Sequence, residues 1–360
     1  MINFKKVSKL LFELENIGKL RYAKIKLNGL TVIAGENDTG KSTIGKALVA
    51  LLKTEFIARQ KYYKKRKDYF KNRKFGFKRL RELLFDNFLK VSYELYPQYS
   101  SKNSYIKITF NGKYLKVFWD KNKNEWEFDK KSLTIKDKLY YKDITYIQSP
   151  LIWDLQSFFN SILQMKTQVE MEEDIKFNFS YPYLLWDLYG KLIKKRIEYI
   201  SNFHSAQRNF IKDIIDGEFI RRSSNDFVFR RKGIDIPLID VAHGIKSFGI
   251  LQVLLENGYI SDKGILVFDE PEVHLHPNWQ VEYAKLIINF TKYGVKILVS
   301  SHSPYFIQAL NKFATEERIE NKVNFYVAEE NKIFQKENNA KTLQYIFYKL
   351  SKPLHNLVWE

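Results

Sequence analysis

One short segment constrains this chain more than any other feature of its sequence. Residues 35–43 read Gly-Glu-Asn-Asp-Thr-Gly-Lys-Ser-Thr and fit the pattern G-x-x-x-x-G-K-[ST]. An almost continuous apolar run, Leu30–Ala34, precedes the segment, and a stretch of helical character, 41–58, follows it. Glycines let backbone N–H groups wrap a chain of phosphates, and the positive end of a helix dipole favours negative charge. The segment therefore predicts a phosphate-binding loop between a buried strand and a helix, with the Lys41 amine on the β- and γ-phosphates and the Ser42 hydroxyl on Mg²⁺.

A second segment has the pattern that such a loop needs opposite it. Ile265–Phe268 is apolar and is followed directly by Asp269 and Glu270. A buried strand that ends in carboxylates suits the edge of a parallel sheet where ligands bind. We expect Asp269 to hold Mg²⁺ through water and Glu270 to orient or deprotonate an attacking water. The alternative is that the two acids merely begin a polar loop.

Composition excludes several kinds of site. The chain has 360 residues and no cysteine, which excludes disulfides, thiolate metal sites and cysteine nucleophiles. The absence of cysteine fits a reducing cytoplasm, and a cytoplasmic protein is our expectation. No apolar run approaches the roughly 18 residues that span a bilayer, so we expect no membrane contact.

Positive charge is concentrated in one stretch. The formal net charge is +19, and residues 59–81 hold twelve Lys or Arg against one acid, Asp68. One interpretation is an arm that binds nucleic acid, and the other is a solvated helical face in a lysine-rich chain. The basic residues that we single out as nucleic-acid contacts are Lys64, Lys65, Arg66, Lys67, Arg73 and Lys74.

Strand and helix signals alternate at both ends of the chain, which predicts an α/β fold with a parallel core sheet. The middle differs. Ser104–Phe110 and Lys113–Trp119 flank Asn111-Gly112 and predict an antiparallel hairpin, while residues 150–216 have a mostly helical pattern. We therefore divide the chain into an N-terminal part at 1–58 with the phosphate-binding loop, an insertion at 59–140, a helical lobe at 141–258 and a C-terminal part at 259–360 with the acidic pair.

The acidic pair opens a longer block that resembles a known group of proteins. Residues 269–277 read Asp-Glu-Pro-Glu-Val-His-Leu-His-Pro and are similar to the D-E-P-E-x-x-L-H-P block of ABC-type ATPases of the OLD (overcoming lysogenisation defect) group. Asn37 in the phosphate-binding loop looks like that of OLD, RecF and SMC proteins. Residues 298–304, Leu-Val-Ser-Ser-His-Ser-Pro, resemble the T-H-S-P switch of the same group.

The resemblance implies an ABC-type ATPase head in which a flanking antiparallel subdomain and a helical signature lobe accompany the parallel core. It implies that Gln148, in a segment that looks like a Q-loop, senses Mg²⁺ and water, and that His302 contacts the γ-phosphate. Residues 241–246 lie where the ABC signature is expected, although Ala242 replaces the usual signature serine. The implied contacts to ATP are the loop residues Gly35, Asn37, Asp38, Thr39, Gly40, Lys41, Ser42 and Thr43 and the signature residues His243, Gly244 and Lys246; the implied Mg²⁺ ligands are Ser42, Asp269 and Gln148.

The resemblance also implies partners. ABC signatures act in trans, so two ATP molecules would lie between two heads of a homodimer or higher oligomer. Only 58 residues follow His302, too few for the TOPRIM nuclease of OLD proteins, so we expect a separate effector, a nuclease or toxin, in a bacterial anti-phage defence module. The alternative is an SMC- or RecF-like ATPase of DNA repair or recombination; a nucleotide-binding scaffold with an inactive Glu270 is a further possibility.

Overall fold

The computed structural model describes residues 10–68, 77–92, 95–98, 103–129, 131–132, 141, 143–172, 182–196, 201–223 and 225–359. The strands in these ranges are β1 (Leu10–Ile17), β2 (Leu20–Lys26), β3 (Leu30–Ala34), β4 (Tyr105–Phe110), β5 (Lys113–Asp120), β6 (Glu125–Phe128), β7 (Asp143–Ile147), β8 (Glu218–Arg221), β9 (Phe227–Arg231), β10 (Ile234–Pro237), β11 (Gly264–Asp269), β12 (Lys296–Ser301), β13 (Val323–Glu329) and β14 (Lys332–Phe334). The helices are α1 (Lys41–Asp68), α2 (Phe77–Val91), α3 (Gln156–Glu172), α4 (Tyr183–Ile193), α5 (Asn202–Ile215), α6 (His243–Glu256), α7 (Pro277–Tyr293), α8 (Pro304–Glu316) and α9 (Asn339–Trp359).

Eleven strands form one mixed sheet in the order β6-β5-β4-β1-β2-β14-β13-β3-β12-β11-β7. The five strands from β13 to β7 are parallel to one another. The five strands from β6 to β2 are antiparallel. Strand β14 joins the two parts, parallel to β2 and antiparallel to β13. The predicted fold class, α/β with a parallel core and flanking antiparallel strands, is confirmed.

The parallel strands are buried on both faces, which explains their continuous apolar sequences. In β11, Ile265 and Val267 lie in the core beneath α1, whereas Leu266 and Phe268 lie in the core beneath α6 and α7. The alternation has the two-residue period of a strand. Helix α1 therefore packs on one face of the sheet and fixes the loop before it at the sheet edge.

The antiparallel hairpin forms where the sequence predicts it. Asn111 and Gly112 have positive φ angles of 49° and 80°, as a two-residue turn of a right-twisted hairpin requires. Its strand β4 pairs with β1, so the predicted insertion contributes strands to the same sheet as residues 1–58.

The helical middle of the chain also contains strands. Helices α3, α4, α5 and α6 accompany a small sheet of β10, β9 and β8. Strands β9 and β10 are joined by the Lys232-Gly233 turn, and the four residues of β8, which the sequence did not predict, pair with β9.

The basic stretch is helical in its described part. The backbone of residues 64–67 continues α1 beyond the predicted end at Ala58, and α2 begins at Phe77. Arg73 and Lys74 lie outside the described residues, as do the side chains of Lys64, Lys65, Arg66 and Lys67. In the described ranges no helix combines the length and the apolar character that crossing a membrane would need.

Candidate functional site

Four predicted segments meet at one edge of the sheet. The strands β3, β12, β11 and β7 are parallel neighbours, so their carboxyl ends lie side by side. The phosphate-binding loop follows β3, His302 follows β12, and Gln148 follows β7, while Asp269 ends β11. This edge is where ligands bind in open α/β sheets.

The loop after β3 turns tightly into α1. Asp38 and Gly40 have φ angles of 66° and 87°, in the left-handed region that non-glycine residues seldom adopt. A Cβ on Gly35 would lie 2.5 Å from the carbonyl oxygen of Ala328, and one on Gly40 would lie 2.7 Å from the Leu20 side chain. Close approach to β13 and β2 therefore requires both glycines. The predicted loop residues all lie at this edge: Gly35, Asn37, Asp38, Thr39, Gly40, Lys41, Ser42 and Thr43.

Lys41, the first residue of α1, turns its side chain back over the loop. The side chain is 3% exposed, and Nζ donates a hydrogen bond to the carbonyl oxygen of Glu36 at 2.7 Å. The same Nζ lies 3.3 Å from Glu270 Oε1. The amine is thus buried between the loop and the second predicted carboxylate, where a phosphate oxygen could replace the Glu36 carbonyl as its acceptor.

Asp269 is the most fully satisfied acid of the site. Its Oδ1 accepts from the Ser42 hydroxyl at 2.9 Å and from the Ser300 hydroxyl at 2.5 Å. Its Oδ2 accepts from the Tyr146 hydroxyl at 2.6 Å. The sequence predicted Asp269 and Ser42 as partners on one ion, whereas it gave no role to Tyr146 and Ser300.

Glu270 has a strained backbone, with φ of 50°. Its N–H donates to the Ser300 carbonyl at 3.0 Å, which fixes the turn after β11 against β12. The side chain is 27% exposed, and Oε1 lies 3.4 Å from His302 Nδ1. The carboxylate therefore lies between the Lys41 amine and the His302 ring at the open face of the site.

Glu272 anchors the segment that carries His302. It is 2% exposed, and its Oε1 accepts from Ser301 Oγ at 2.6 Å and from the backbone N–H groups of His302 and Ser303 at 3.1 and 3.3 Å. Burial raises the pKa of Glu272, and these hydrogen bonds act against that rise. The acid was part of the quoted D-E-P-E block, but sequence reasoning gave it no role of its own.

The position of His302 is fixed by the hydrogen bond of its backbone N–H to Glu272 and not by a hydrogen bond of its ring Nδ1. Among the described residues Nδ1 has no hydrogen-bond partner, although Glu272 Oε1 lies 3.8 Å away. The ring is 38% exposed and borders the carboxylate of Glu270. Gln148 is exposed at the end of β7, two residues beyond Tyr146.

The three predicted signature residues have different surroundings. His243 begins α6, is 43% exposed, and has Nε2 3.4 Å from Asp154 Oδ2. Gly244 is buried, and a Cβ there would lie 2.8 Å from the Trp279 ring. Lys246 is 1% exposed, and its ammonium group pairs with Asp154. The Lys246 side chain therefore lies inside the helical lobe, and not on the surface where it would contact ATP as the resemblance implied.

The residues of this site fit a Mg²⁺ ion bound together with a chain of phosphates better than a metal ion held by protein side chains alone. Within the described ranges no three His, Cys, Asp or Glu side chains are grouped to hold a metal ion. His274 and His276 lie two residues apart, but His276 accepts at Nδ1 from the Asn278 N–H and so caps α7, which leaves that nitrogen unable to bind a metal ion. A hydroxyl and a carboxylate such as Ser42 and Asp269 suit Mg²⁺, which takes few protein ligands and keeps waters and substrate phosphates.

A protein-family model described as "AAA domain, putative AbiEii toxin, Type IV TA system" matches residues 30–308, about three quarters of the chain. The chain therefore belongs to this family. The matched span contains the phosphate-binding loop, the Asp269-Glu270 pair and His302.

Two curated relatives match shorter segments. An uncharacterised protein of Methanocaldococcus jannaschii is 33% identical over 124 residues, which is 34% of this chain and 14% of the relative. The retron Vc95 probable ATPase of Vibrio cholerae is 25% identical over 142 residues, 32% of this chain and 27% of the relative. The matched regions thus cover less than a third of either relative's length.

Solved structures resemble the fold at low identity. An SMC head bound to the C-terminal winged-helix domain of ScpA is 12% identical, with a TM-score of 0.46 over 93% of this chain and 98% of the other. The SMC head of Thermotoga maritima is 15% identical, with a TM-score of 0.41 over 89% of this chain and 94% of the other. With TM-scores below 0.5, these similarities carry no conclusion about the function of this chain.

Proposed function

We propose that this chain binds ATP with Mg²⁺ at the carboxyl edge of the parallel strands and hydrolyses it. One observation carries the proposal: the hydroxyl of Ser42 and the carboxylate of Asp269, 227 residues apart in sequence, are joined by a hydrogen bond of 2.9 Å. The loop thus meets the acid that the sequence assigned to the same ion. Membership of an AAA-domain family supports the same chemistry.

Each side chain has a separate task in this proposal. Lys41 would neutralise the β- and γ-phosphates, and the loop N–H groups with the α1 dipole would hold the chain of phosphates. Ser42 and Asp269 would hold Mg²⁺, which supplies charge neutralisation when bound. Glu270, beside Lys41 and His302, would orient the attacking water and accept its proton. His302 would donate a hydrogen bond to the γ-phosphate, and Glu272 positions it.

The test of hydrolysis is the isosteric variant Glu270→Gln. ATP and Mg²⁺ binding should persist, because Lys41, Ser42 and Asp269 remain, while the rate of phosphate release should fall by about two orders of magnitude or more. The matched control is Glu320→Gln, which neutralises an exposed acid far along the chain and should leave turnover unchanged. Undiminished turnover in Glu270→Gln would refute the role of Glu270.

We also propose that two heads share two ATP molecules, with α6 of one head facing the phosphates held by the other. The exposed position of His243 at the start of α6 supports this, because the N–H groups of a helix N-terminus attract phosphate. Gly244→Glu is unsuitable as a test, since a side chain there would collide with Trp279. His243→Glu adds the negative charge at an exposed position instead.

Mixing Lys41→Ala with His243→Glu tests the shared site. Each variant alone should be inactive. When they are mixed, about half of the random dimers are heterodimers, and each heterodimer has one intact site and one doubly damaged site. About a quarter of all sites should therefore be active. A crosslinked wild-type/Lys41→Ala heterodimer is the control, because it keeps one intact site. Activity in that control without recovery in the mixture would contradict the trans arrangement.

For the biological role we propose the ATPase subunit of a bacterial anti-phage defence module that acts with a separately encoded effector, a nuclease or toxin. The family description names a toxin and a toxin–antitoxin system, and the Vibrio relative is named a retron probable ATPase. Co-purification with the products of neighbouring genes, followed by mass spectrometry, tests the role. A nuclease or toxin would agree with it, and replication or repair proteins would favour the alternative of a repair ATPase.

A further inference from the structure

A cavity lies at the edge of the sheet opposite to the phosphate-binding loop. It has a volume of about 490 Å³ and is bordered by α1, α4 and Asp143, the first residue of β7. Cavities of this size hold small organic ligands. No residue of the site described above lines it.

The distance along α1 separates the two sites. Lys41 begins α1, whereas Lys53, Phe56 and Gln60 of the same helix line the cavity. At 1.5 Å per residue, these positions lie roughly 18–29 Å along the helix axis from Lys41. A nucleotide held by the loop therefore does not reach into the cavity.

The wall of the cavity holds a buried network of charges. Asp143 lies 3.0 Å from Lys53 Nζ, 3.1 Å from Arg196 Nη2 and 3.5 Å from Lys191 Nζ. Asp187 lies 2.6 Å from Lys53 and 2.8 Å from Lys191. Both carboxylates are thus neutralised by cations, and their negative charge does not oppose an anion in the cavity.

The remaining charge at this cavity is positive. Lys53, Lys191, Lys194, Lys195 and Arg196 line it against Asp143 and Asp187, an excess of three positive charges. Lys194 and Lys195 are exposed, and no described carboxylate pairs with either of them. Two lysine ammonium groups at the entrance of a cavity are suited to bind a phosphate.

Aromatic rings accompany the charges. Tyr183 and Trp186 are half-buried where they line the cavity. Trp186 is held from behind by the ring of Phe159, with centroids 5.5 Å apart. Fixed aromatic rings beside cations are the combination with which proteins bind bases and phosphates of single-stranded nucleic acid.

The cavity also lies beside the part of α1 where the basic stretch begins. Lys53, Ile57 and Gln60 have the spacing of one helix face, and positions 64 and 67 continue that face of α1 by one and two turns. The cavity and these two positions of the basic stretch therefore lie on the same face of α1.

We propose that this cavity binds one nucleotide unit, a phosphate at Lys194 and Lys195 with its base against Trp186 and Tyr183, as the end of a single-stranded nucleic acid or as a free nucleotide. The proposal concerns a site separate from the phosphate-binding loop and does not depend on ATP hydrolysis. Both ligand sources present the same phosphate and planar base.

The test measures fluorescence anisotropy of a short 5′-phosphorylated oligothymidylate with a 3′ fluorophore, bound to the full chain at low salt. Lys194→Gln/Lys195→Gln should raise its dissociation constant about tenfold or more, because both phosphate cations are lost. The control Lys121→Gln/Lys332→Gln removes two exposed lysines elsewhere, and its constant should stay within about twofold. Lys41→Ala should also bind normally, which separates this result from the fate of the ATPase proposal.

Competition identifies the source of the ligand. Displacement by AMP supports a free nucleotide, and displacement only by unlabelled oligonucleotide supports a strand end; ribose 5-phosphate should compete less well than AMP, since it lacks the base. Absence of oligonucleotide and AMP binding in the wild type would overturn the proposal. An unchanged dissociation constant in Lys194→Gln/Lys195→Gln would also overturn it, because binding would then belong to the basic stretch alone.

Discussion

Asp143 joins the start of β7 to three cations, and its removal has a calculable effect on stability. The carboxylate is 7% exposed and lies within 3.5 Å of Lys53, Lys191 and Arg196. Burial alone would raise the pKa of Asp143, but the three cations lower it to about 2, from an ordinary value of 3.8. The substitution Asp143→Asn keeps the shape of the side chain and removes the charge.

The pKa shift of Asp143 determines how much the carboxylate contributes to the free energy of unfolding and how that contribution changes with pH. One pKa unit corresponds to about 1.4 kcal/mol, so the ionised carboxylate contributes about 2 kcal/mol to the free energy of unfolding. Because the pKa is lower in the folded chain than in the unfolded chain, this contribution is complete above the unfolded value. It is lost as the pH falls from about 4 towards about 2.

Urea unfolding of the wild type and Asp143→Asn between about pH 6 and about pH 2 measures this contribution. The variant should be less stable near neutral pH, and the difference between the two proteins should shrink by about 2 kcal/mol over the acid range. The control is Asp213→Asn, an exposed acid of α5 whose removal should change little at any pH. A difference between wild type and Asp143→Asn that stays constant down to about pH 2 would show that these cations do not stabilise the ionised form of Asp143.

Two further predictions concern the site and the basic stretch. Glu272→Ala should lower ATPase turnover, measured as phosphate release, at unchanged ATP affinity, because three hydrogen-bond donors around His302 lose their acceptor. Glu272→Gln should keep part of the turnover, because its amide oxygen can still accept from these donors. Equal losses of turnover in both variants would contradict a positioning role for Glu272. Neutralising Lys64, Lys65, Arg66 and Lys67 should flatten the dependence of log K on log salt for nucleic acid by up to about 4, and an unchanged slope would favour the solvated-face interpretation.

The continuous apolar strands could be predicted from sequence because burial on both faces leaves a direct trace. Strands β3 and β11 were predicted within a residue of their observed ends. The hairpin turn at Asn111-Gly112 could be predicted equally well, since both residues adopt the positive φ angles that their residue types favour. These features depend on a few neighbouring residues only.

Elements that depend on distant partners left little trace. Strand β14 has three residues and starts with exposed Lys332; its extended form is fixed by pairing with β2 and β13. Strand β8 is similar, with four residues beside β9. Local propensity does not determine such short segments, because tertiary contacts stabilise them.

The same limit applies to the site. The motif residues Lys41, Ser42, Asp269 and Glu270 could be chosen because each has a typical spacing. Tyr146 and the Ser300 hydroxyl reach Asp269 only through the registers of three parallel strands, in which Val267 pairs with Tyr146 and Asp269 with Ser300. Predicting them would have required the order and register of those strands.

The most direct test of the account is calorimetric titration of ATP with Mg²⁺ into the full chain and into Lys41→Ala, with Lys121→Ala as the control for loss of an exposed lysine. We predict that the wild type and the control each bind one ATP per chain at a tight site. We predict that Lys41→Ala binds about a hundredfold more weakly or not at all, because the buried cation opposite the phosphates is lost. Equal affinity of the wild type and Lys41→Ala, or no binding by the wild type, would contradict a nucleotide site at this edge of the sheet.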